Sequence, residues 1–267
     1  MLSSFLEATL AIALVGLVAV GGRFLDGKGV AAAVAVGYCV YIMGGRSYFL
    51  ALLVFFVVAG FTTRYRYREK YGEAGRGIRT WSNVLANGLA AALIPLLGYL
   101  SFTSSSATLA MYLGAVSSVF SDTMSTEVGL LSKSQPRMIT TLRPASPGTP
   151  GAVSLLGLAA GFFTGFILAA AVLLYGVFFE LSLPTHIILL VSVLAGFSGS
   201  IFDSVFGGLF QSRYRCEVCG RAVEVKRHCG GQTVYVSGSK LVNNEVVNLL
   251  TSLYGAFVAF VVWVYMG

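Results

Sequence analysis

Residues 121–129 read SDTMSTEVG, and the segment that follows to residue 151 carries Lys133, Arg137, Thr140, Thr141, Arg143, Gly148 and Thr149. Asp122 and Glu127 close an otherwise apolar run, and carboxylates at membrane depth are costly enough that chains keeping them generally use them. Mg²⁺ selects carboxylate oxygens, while Lys and Arg give charge-assisted bonds to phosphate. Acids, cations, hydroxyls and flexible glycines gathered at a membrane surface therefore suit a Mg²⁺ and phosphate site with a lipid as substrate. Asp203, with Ser204 beside it, ends a similar run, GFSGSIFDS. Asn83 and Asn87 lie four residues apart and share one helix face, as do Asn244 and Asn248. Asp122 and Glu127 are five apart and diverge by roughly 140° on a regular helix, so both reach one ion only if the helix unwinds near Met124–Thr126. Each residue also has a plainer use: Asn as a helix-to-helix hydrogen bond, Ser and Gly as close packing, a terminal acid as a cap or anchor.

A second constellation is Cys216-x2-Cys219 followed by His228 and Cys229 in a polar loop. Four soft ligands in that order match the stoichiometry of a structural Zn²⁺ site. Adjacent His228 and Cys229 point apart in regular structure and can share an ion only from a tight loop. Reduced packing cysteines are the alternative. Cys39, inside an apolar run, reads as a small hydrophobic filler.

The elements that must position these groups are membrane helices. The chain is 56% hydrophobic and 11% charged over 267 residues, with mean hydropathy +0.81; soluble domains carry about 25% charged residues. Eight stretches approach the length needed to cross a hydrocarbon layer, near 3–22, 28–44, 47–63, 82–102, 106–127, 152–178, 184–209 and 244–266. The fifth is the least regular, since its last turn holds the acids. The expected fold is all-α: one polytopic transmembrane domain, 1–267, with a Cys/His loop at 210–242 and the site at the cytoplasmic helix ends. If the helices alternate, every basic residue except Arg46 falls on one side, which the positive-inside rule makes cytoplasmic and which leaves both termini extracytoplasmic. The same charges also serve topology and anionic headgroups without any catalysis. The first run follows MLSSFLEATL, which has Glu7 and no Lys or Arg, and is expected to be a permanent helix rather than a signal peptide.

Five ordered blocks carry a resemblance: RTWSNVLANG near 79–88, SDTMSTEVG at 121–129, TTLRPASPGTPGAVSLLG at 140–157, FDSVFGGLFQSRYRCEVCG at 202–220 and NNEVVNLL at 243–250. Together they resemble the integral membrane family that includes transmembrane protein 19 and the plant chloroplast phytyl-phosphate kinase. That family is distantly similar to dolichol and phytol kinases and to CTP-dependent phosphatidate cytidylyltransferases. The resemblance implies phosphoryl transfer from a nucleoside triphosphate, CTP first, to a membrane-embedded prenyl phosphate, with no nucleic acid partner. On that basis Asp122, Glu127 and Asp203 would hold Mg²⁺, and Lys133, Arg137 and Arg143 the triphosphate, with Arg79 on the acceptor phosphate. Thr140, Thr141, Gly148, Thr149 and Ser204 would donate hydrogen bonds, and Asn83, Asn87, Asn244 and Asn248 would order the metal shell or nucleotide. No G-x4-G-K-[ST] phosphate loop is present, so the nucleotide site is of another kind. Two other classes share these features. A cytidylyltransferase would use the same Mg²⁺ and CTP but release diphosphate, and a lipid or ion transporter would also carry intramembrane acids and related halves, although at mid-membrane depth.

Overall fold

The computed structural model describes residues 2–71, 77–220 and 222–267; two basic loop residues of the topology argument, Arg76 and Arg221, lie outside the described residues. Eight long helices match the expected runs: α1 Leu2–Gly21, α2 Gly27–Gly44, α3 Arg46–Arg64, α5 Trp81–Tyr99, α6 Ser105–Gly129, α7 Leu155–Gly176, α8 Thr185–Phe210 and α9 Asn244–Met266. A ninth, α4 Tyr67–Tyr71, is a single turn and a bit in the basic loop after α3. Polar residues set the starts. Asp26 Oδ1 accepts from Gly29 N at 2.6 Å, Ser154 Oγ from Gly157 N at 3.1 Å and Asn243 Oδ1 from Val246 N at 3.0 Å, each satisfying a first-turn N–H that the helix leaves unpaired.

Six of these helices, α2, α3, α5, α7, α8 and α9, are long and apolar enough to cross a membrane. They bear outward Leu, Ile, Phe and Val such as Phe163, Leu174 and Phe257, a surface that only lipid covers without cost. α6 differs because it meets little lipid: it packs against α3, α5, α7, α8 and α9 at the centre of the bundle. Its Ser and Gly positions are contact points. Ser121 Oγ donates to Gly161 O at 2.6 Å, Ser117 Oγ donates to Ser192 O, and a Cβ on Gly114 would overlap the backbone of Gly255. Small residues and hydroxyls let membrane helices approach closely where apolar burial supplies no driving force. The polarity that makes this helix irregular in the sequence is thus packing against neighbours. It also stays helical through Met124–Thr126.

The basic loops collect at one end of the bundle. Arg64 reaches the carbonyl of Arg23, Lys70 reaches Glu127, and Leu25 bridges to Arg79. At the other end Arg46 Nη2 pairs with Glu7 Oε2 at 2.6 Å, and both chain ends lie on that side, since α1 starts there and α9 runs toward it from Asn244. Small sheets in the loops accompany the helices. Residues 213–220 and 222–237 carry a four-stranded antiparallel ribbon, β3 Arg213–Cys216, β4 Ala222–Val223, β5 Arg227–His228 and β6 Gly231–Ser237, in the order β4-β3-β6-β5. A smaller pair, β1 Arg137–Met138 with β2 Ala152–Val153, ties the 130–154 loop to itself.

Candidate metal and phosphate site

Asp122 follows the continuously buried run of α6 that closes at Ser121, and Asp203 sits at the corresponding depth of α8, the helix packed against it. Both carboxyl groups open onto one cavity and lie close enough to influence each other. Thr251 of α9 donates to Asp203 Oδ2 at 2.9 Å, and Ser200 Oγ bonds Ser125 Oγ at 2.9 Å just beside the pair. Asp122, Asp203, Ser125 and Ser200 line the floor of a cavity of about 340 Å³ at the basic end of the bundle, within the range of small-molecule sites.

The cavity's roof is loop. Pro147–Val153 forms one wall, held down where Gly151 meets α8: at φ 81° a Cβ there would lie 2.5 Å from Gly208 Cα and 2.8 Å from Ser204 O, so only glycine permits the approach. Ser154 and Gly157 from the first turn of α7, and Asn244 from the first turn of α9, complete it. Two helix N-termini therefore turn their positive ends toward the cavity, an arrangement that favours anions. Among the described residues the wall carries acids and hydroxyls but no Lys, Arg or His. A bare triphosphate would be repelled by the carboxylates, so an anion fits only together with a divalent cation that offsets them. Asp122 and Asp203 are the residues placed to hold one.

Six sequence-predicted residues line this cavity: Asp122, Asp203, Ser204, Gly148, Thr149 and Asn244. The others lie elsewhere. Glu127, expected on the same ion as Asp122, is a correction: because α6 remains regular it points away, and its Oε2 pairs with Lys70 Nζ at 2.5 Å. Lys70 also donates to Thr62 O at 2.6 Å and Thr63 O at 3.0 Å, so all three ammonium donors are used at the C-terminus of α3. Lys133, Thr140, Thr141 and Arg143 are exposed on the loop outside the cavity wall, and Arg137 Nη1 braces its own turn by donating to Leu142 O at 2.9 Å. Asn83 Oδ1 accepts from Thr80 N at 3.2 Å and its Nδ2 donates to Glu245 at 3.3 Å, while Asn87 Nδ2 donates to Asn83 O at 2.8 Å. Those are capping and helix-packing roles. With Arg79, the two Asn residues border a separate apolar cleft of about 100 Å³ between α1, α2, α3 and α5. Asn248 is half-buried on α9 and does not line the cavity.

Two residues of the wall were invisible in the sequence, Glu224 and Gln211. Nothing distinguishes Glu224 from any acid of a polar loop; the ribbon alone brings it to the Asp pair. Glu224 is exposed toward the cavity, yet the protein crowded around it pushes its carboxyl up to about 7, Gln211 pulling down and Asp203 and Glu245 up. Gln211 is buried, and its Nε2 approaches Glu224 without closing a hydrogen bond.

The Cys/His cluster does converge. The ligand atoms of Cys216, Cys219, His228 and Cys229 lie within 4.8 Å of one another, with His228 Nδ1 at 3.5 Å from Cys219 Sγ and 3.2 Å from Cys229 Sγ. The tight loop that adjacent ligands require is present: Cys229 has φ 51° and Gly230 φ 78°, which folds the β5–β6 turn back on itself. Backbone N–H groups of Cys219 and Val218 aim at the Cys216 sulfur and, with His228, hold that thiol down to about 6. Partial desolvation and the Cys219 and Cys216 sulfurs push Cys229 up to about 11.

The family described as Integral membrane protein DUF92 matches residues 10–256. An uncharacterized membrane protein of Methanocaldococcus jannaschii is 28% identical over 255 residues, spanning 95% of this chain and 92% of the relative. Protein PGR of Arabidopsis thaliana is 29% identical over 251 residues, 85% of each chain. Protein VTE6, chloroplastic, also of Arabidopsis thaliana, is 27% identical over 242 residues, 88% of this chain and 64% of that protein. No solved structure matches the chain.

Proposed function

The chain belongs to the DUF92 family of integral membrane proteins, and we propose that it is a Mg²⁺-dependent prenyl phosphate kinase, moving a phosphoryl group from a nucleoside triphosphate, CTP first, to a lipid monophosphate. The observation that carries this reading is that Asp122 and Asp203 open onto one cavity whose charged wall residues, among the described residues, are acids. Such a cavity suits a metal–nucleotide complex and not a free anion. The blocks shared with the plant phytyl-phosphate kinase, and a chloroplast protein among the relatives, support the isoprenoid acceptor.

Phosphoryl transfer asks the protein for positioning and charge balance more than covalent chemistry. An oxygen of the acceptor phosphate attacks the γ-phosphorus; the bond from that phosphorus to the β,γ-bridging oxygen breaks, and the electron pair leaves with the nucleoside diphosphate. The acceptor is already ionised and needs no base, consistent with a wall lacking His. Asp122 and Asp203 would anchor the cation that neutralises the leaving oxygen, the N-terminal turns of α7 and α9 would hold phosphate oxygens, and Lys133 and Arg143 would act from the rim. The apolar cleft that meets Arg79 is the berth we assign to the acceptor's tail. With eight crossings, the basic end faces the cytoplasm and both termini face away.

The test is to incubate purified protein in detergent with Mg²⁺, each nucleoside triphosphate and geranylgeranyl or phytyl phosphate, then identify products by mass. A prenyl diphosphate with nucleoside diphosphate supports the reading. A cytidylyl lipid with released diphosphate converts it to nucleotidyl transfer, and no product with any nucleotide refutes it.

A further inference from the structure

Residues 212–239 leave and re-enter the bundle at one neck, where Ser212 N donates to Val242 O at 2.8 Å and Ser239 N to Phe210 O at 2.8 Å. Beyond that neck the ribbon has little core: among the described residues Tyr214 and Cys216 are its buried side chains, and most of β6 is exposed. So small an apolar interior does not hold a four-stranded sheet of this size, and such units generally depend on a metal or disulfides. The strands β4 and β5 are two residues each, so backbone pairing adds little.

We infer that Cys216, Cys219, His228 and Cys229 bind one Zn²⁺, and that this ion staples the ribbon so that Glu224 stands as the third acid over Asp122 and Asp203. Tetrahedral Zn²⁺ with sulfur at about 2.3 Å and nitrogen at about 2.0 Å keeps its ligand atoms roughly 3.5–3.8 Å apart. The cluster, within 4.8 Å throughout and 3.2–3.5 Å about His228 Nδ1, closes on such an ion by small side-chain movements. Its two halves come from turns of neighbouring strand pairs, one after β3 and one between β5 and β6, which the ion joins. Glu224 lies on the stretch between those halves. Val225 O accepts from Thr233 Oγ1 at 2.8 Å and Lys226 O from Thr233 N at 3.1 Å, so the stretch is fixed to β6 and, through β4, to β3, that is, to the ribbon itself. A ribbon that loosens therefore withdraws Glu224 from the cavity while leaving the Asp pair on its helices. Gln211 at the ribbon's root is buried, and its Nε2, with no hydrogen-bond partner among the described residues, faces that same space. The zinc half stands by itself; the Glu224 half rests on the cavity being a divalent-cation site.

Protein purified through a tag without histidines should contain one zinc per chain, and exchange for Co²⁺ should give a thiolate-to-cobalt charge-transfer band with intense tetrahedral ligand-field bands. Cys219→Ser should lose both while helical circular dichroism and a monodisperse elution persist. Mn²⁺ binding to the cavity, read by electron paramagnetic resonance, should weaken about tenfold or more in Cys219→Ser and in Glu224→Gln alike. A zinc-free wild-type protein that binds Mn²⁺ normally overturns the inference. Zinc-loaded protein whose Mn²⁺ affinity ignores both substitutions overturns the Glu224 half. Wild-type protein that makes prenyl diphosphate, with the same yield from Cys219→Ser and from Glu224→Gln, also overturns that half and leaves the kinase reading standing.

Discussion

Replacing Glu127 by Gln separates a structural acid from a metal ligand. Lys70 Nζ and Glu127 Oε2 lie 2.5 Å apart with side-chain exposures of 0% and 6%, so neither charge has water to fall back on. Removing one member of such a pair leaves the other buried and unpaired, at a cost of about 3–5 kcal/mol. Glu127→Gln keeps the shape and leaves Lys70 its bonds to Thr62 O and Thr63 O, which places it toward the lower end. Lys70→Met strands Glu127 and also removes the donor from both carbonyls, each about 1–3 kcal/mol if left unsatisfied, so it should be the worse variant. The double variant, with no buried charge, should recover about 2 kcal/mol or more relative to the sum of the singles. Denaturant unfolding of the detergent-solubilised protein, followed by tryptophan fluorescence, gives the three numbers. Mn²⁺ affinity should stay within about twofold of wild type in folded Glu127→Gln. A Glu127→Gln protein with wild-type stability and abolished metal binding would falsify the assignment and return Glu127 to the site.

Asp122→Asn and Asp203→Asn should each lower prenyl phosphate turnover by about a hundredfold or more with folding intact, because the amide keeps the shape but removes the charge the cation needs; near-native Mg²⁺-dependent activity in both variants would show that the cavity is not the active site. Lys133→Ala and Arg143→Ala, both on the exposed rim, should raise the KM for nucleotide by roughly threefold to tenfold with kcat held, as expected for a phosphate contact made equally in ground and transition states; a loss confined to kcat contradicts that placement. Tags at each terminus and in the loops after α3, α6 and α8, probed in sealed membranes, should find the termini outside and the loops inside; a cytoplasmic C-terminus refutes an even number of crossings.

Much of the architecture is written along the chain because membrane helices are a local property. A run of about twenty apolar residues must satisfy its own backbone hydrogen bonds in lipid, so composition and length alone locate α1, α2, α3, α5, α7, α8 and α9. The same locality marks Asp122 and Asp203, since an acid in such a run is costly wherever its neighbours lie. It also announces the Cys-x2-Cys and His-Cys ligands, whose chemistry travels with their residue types. What the chain does not disclose is pairing at a distance. Whether Glu127 serves a metal or a lysine depends on Lys70, 57 positions away in sequence, which a five-residue helix turns beneath the end of α3. The polarity of α6 means packing only because five other helices surround it. Lys133, Arg137 and Arg143 carry the right charge for phosphate, yet the β1–β2 pairing that shapes their loop leaves them outside the cavity wall. Glu224 is one acid in a polar stretch until the ribbon folds over the Asp122–Asp203 pair, and that juxtaposition exists in no window of the sequence because the two helices and the ribbon meet only when the bundle closes.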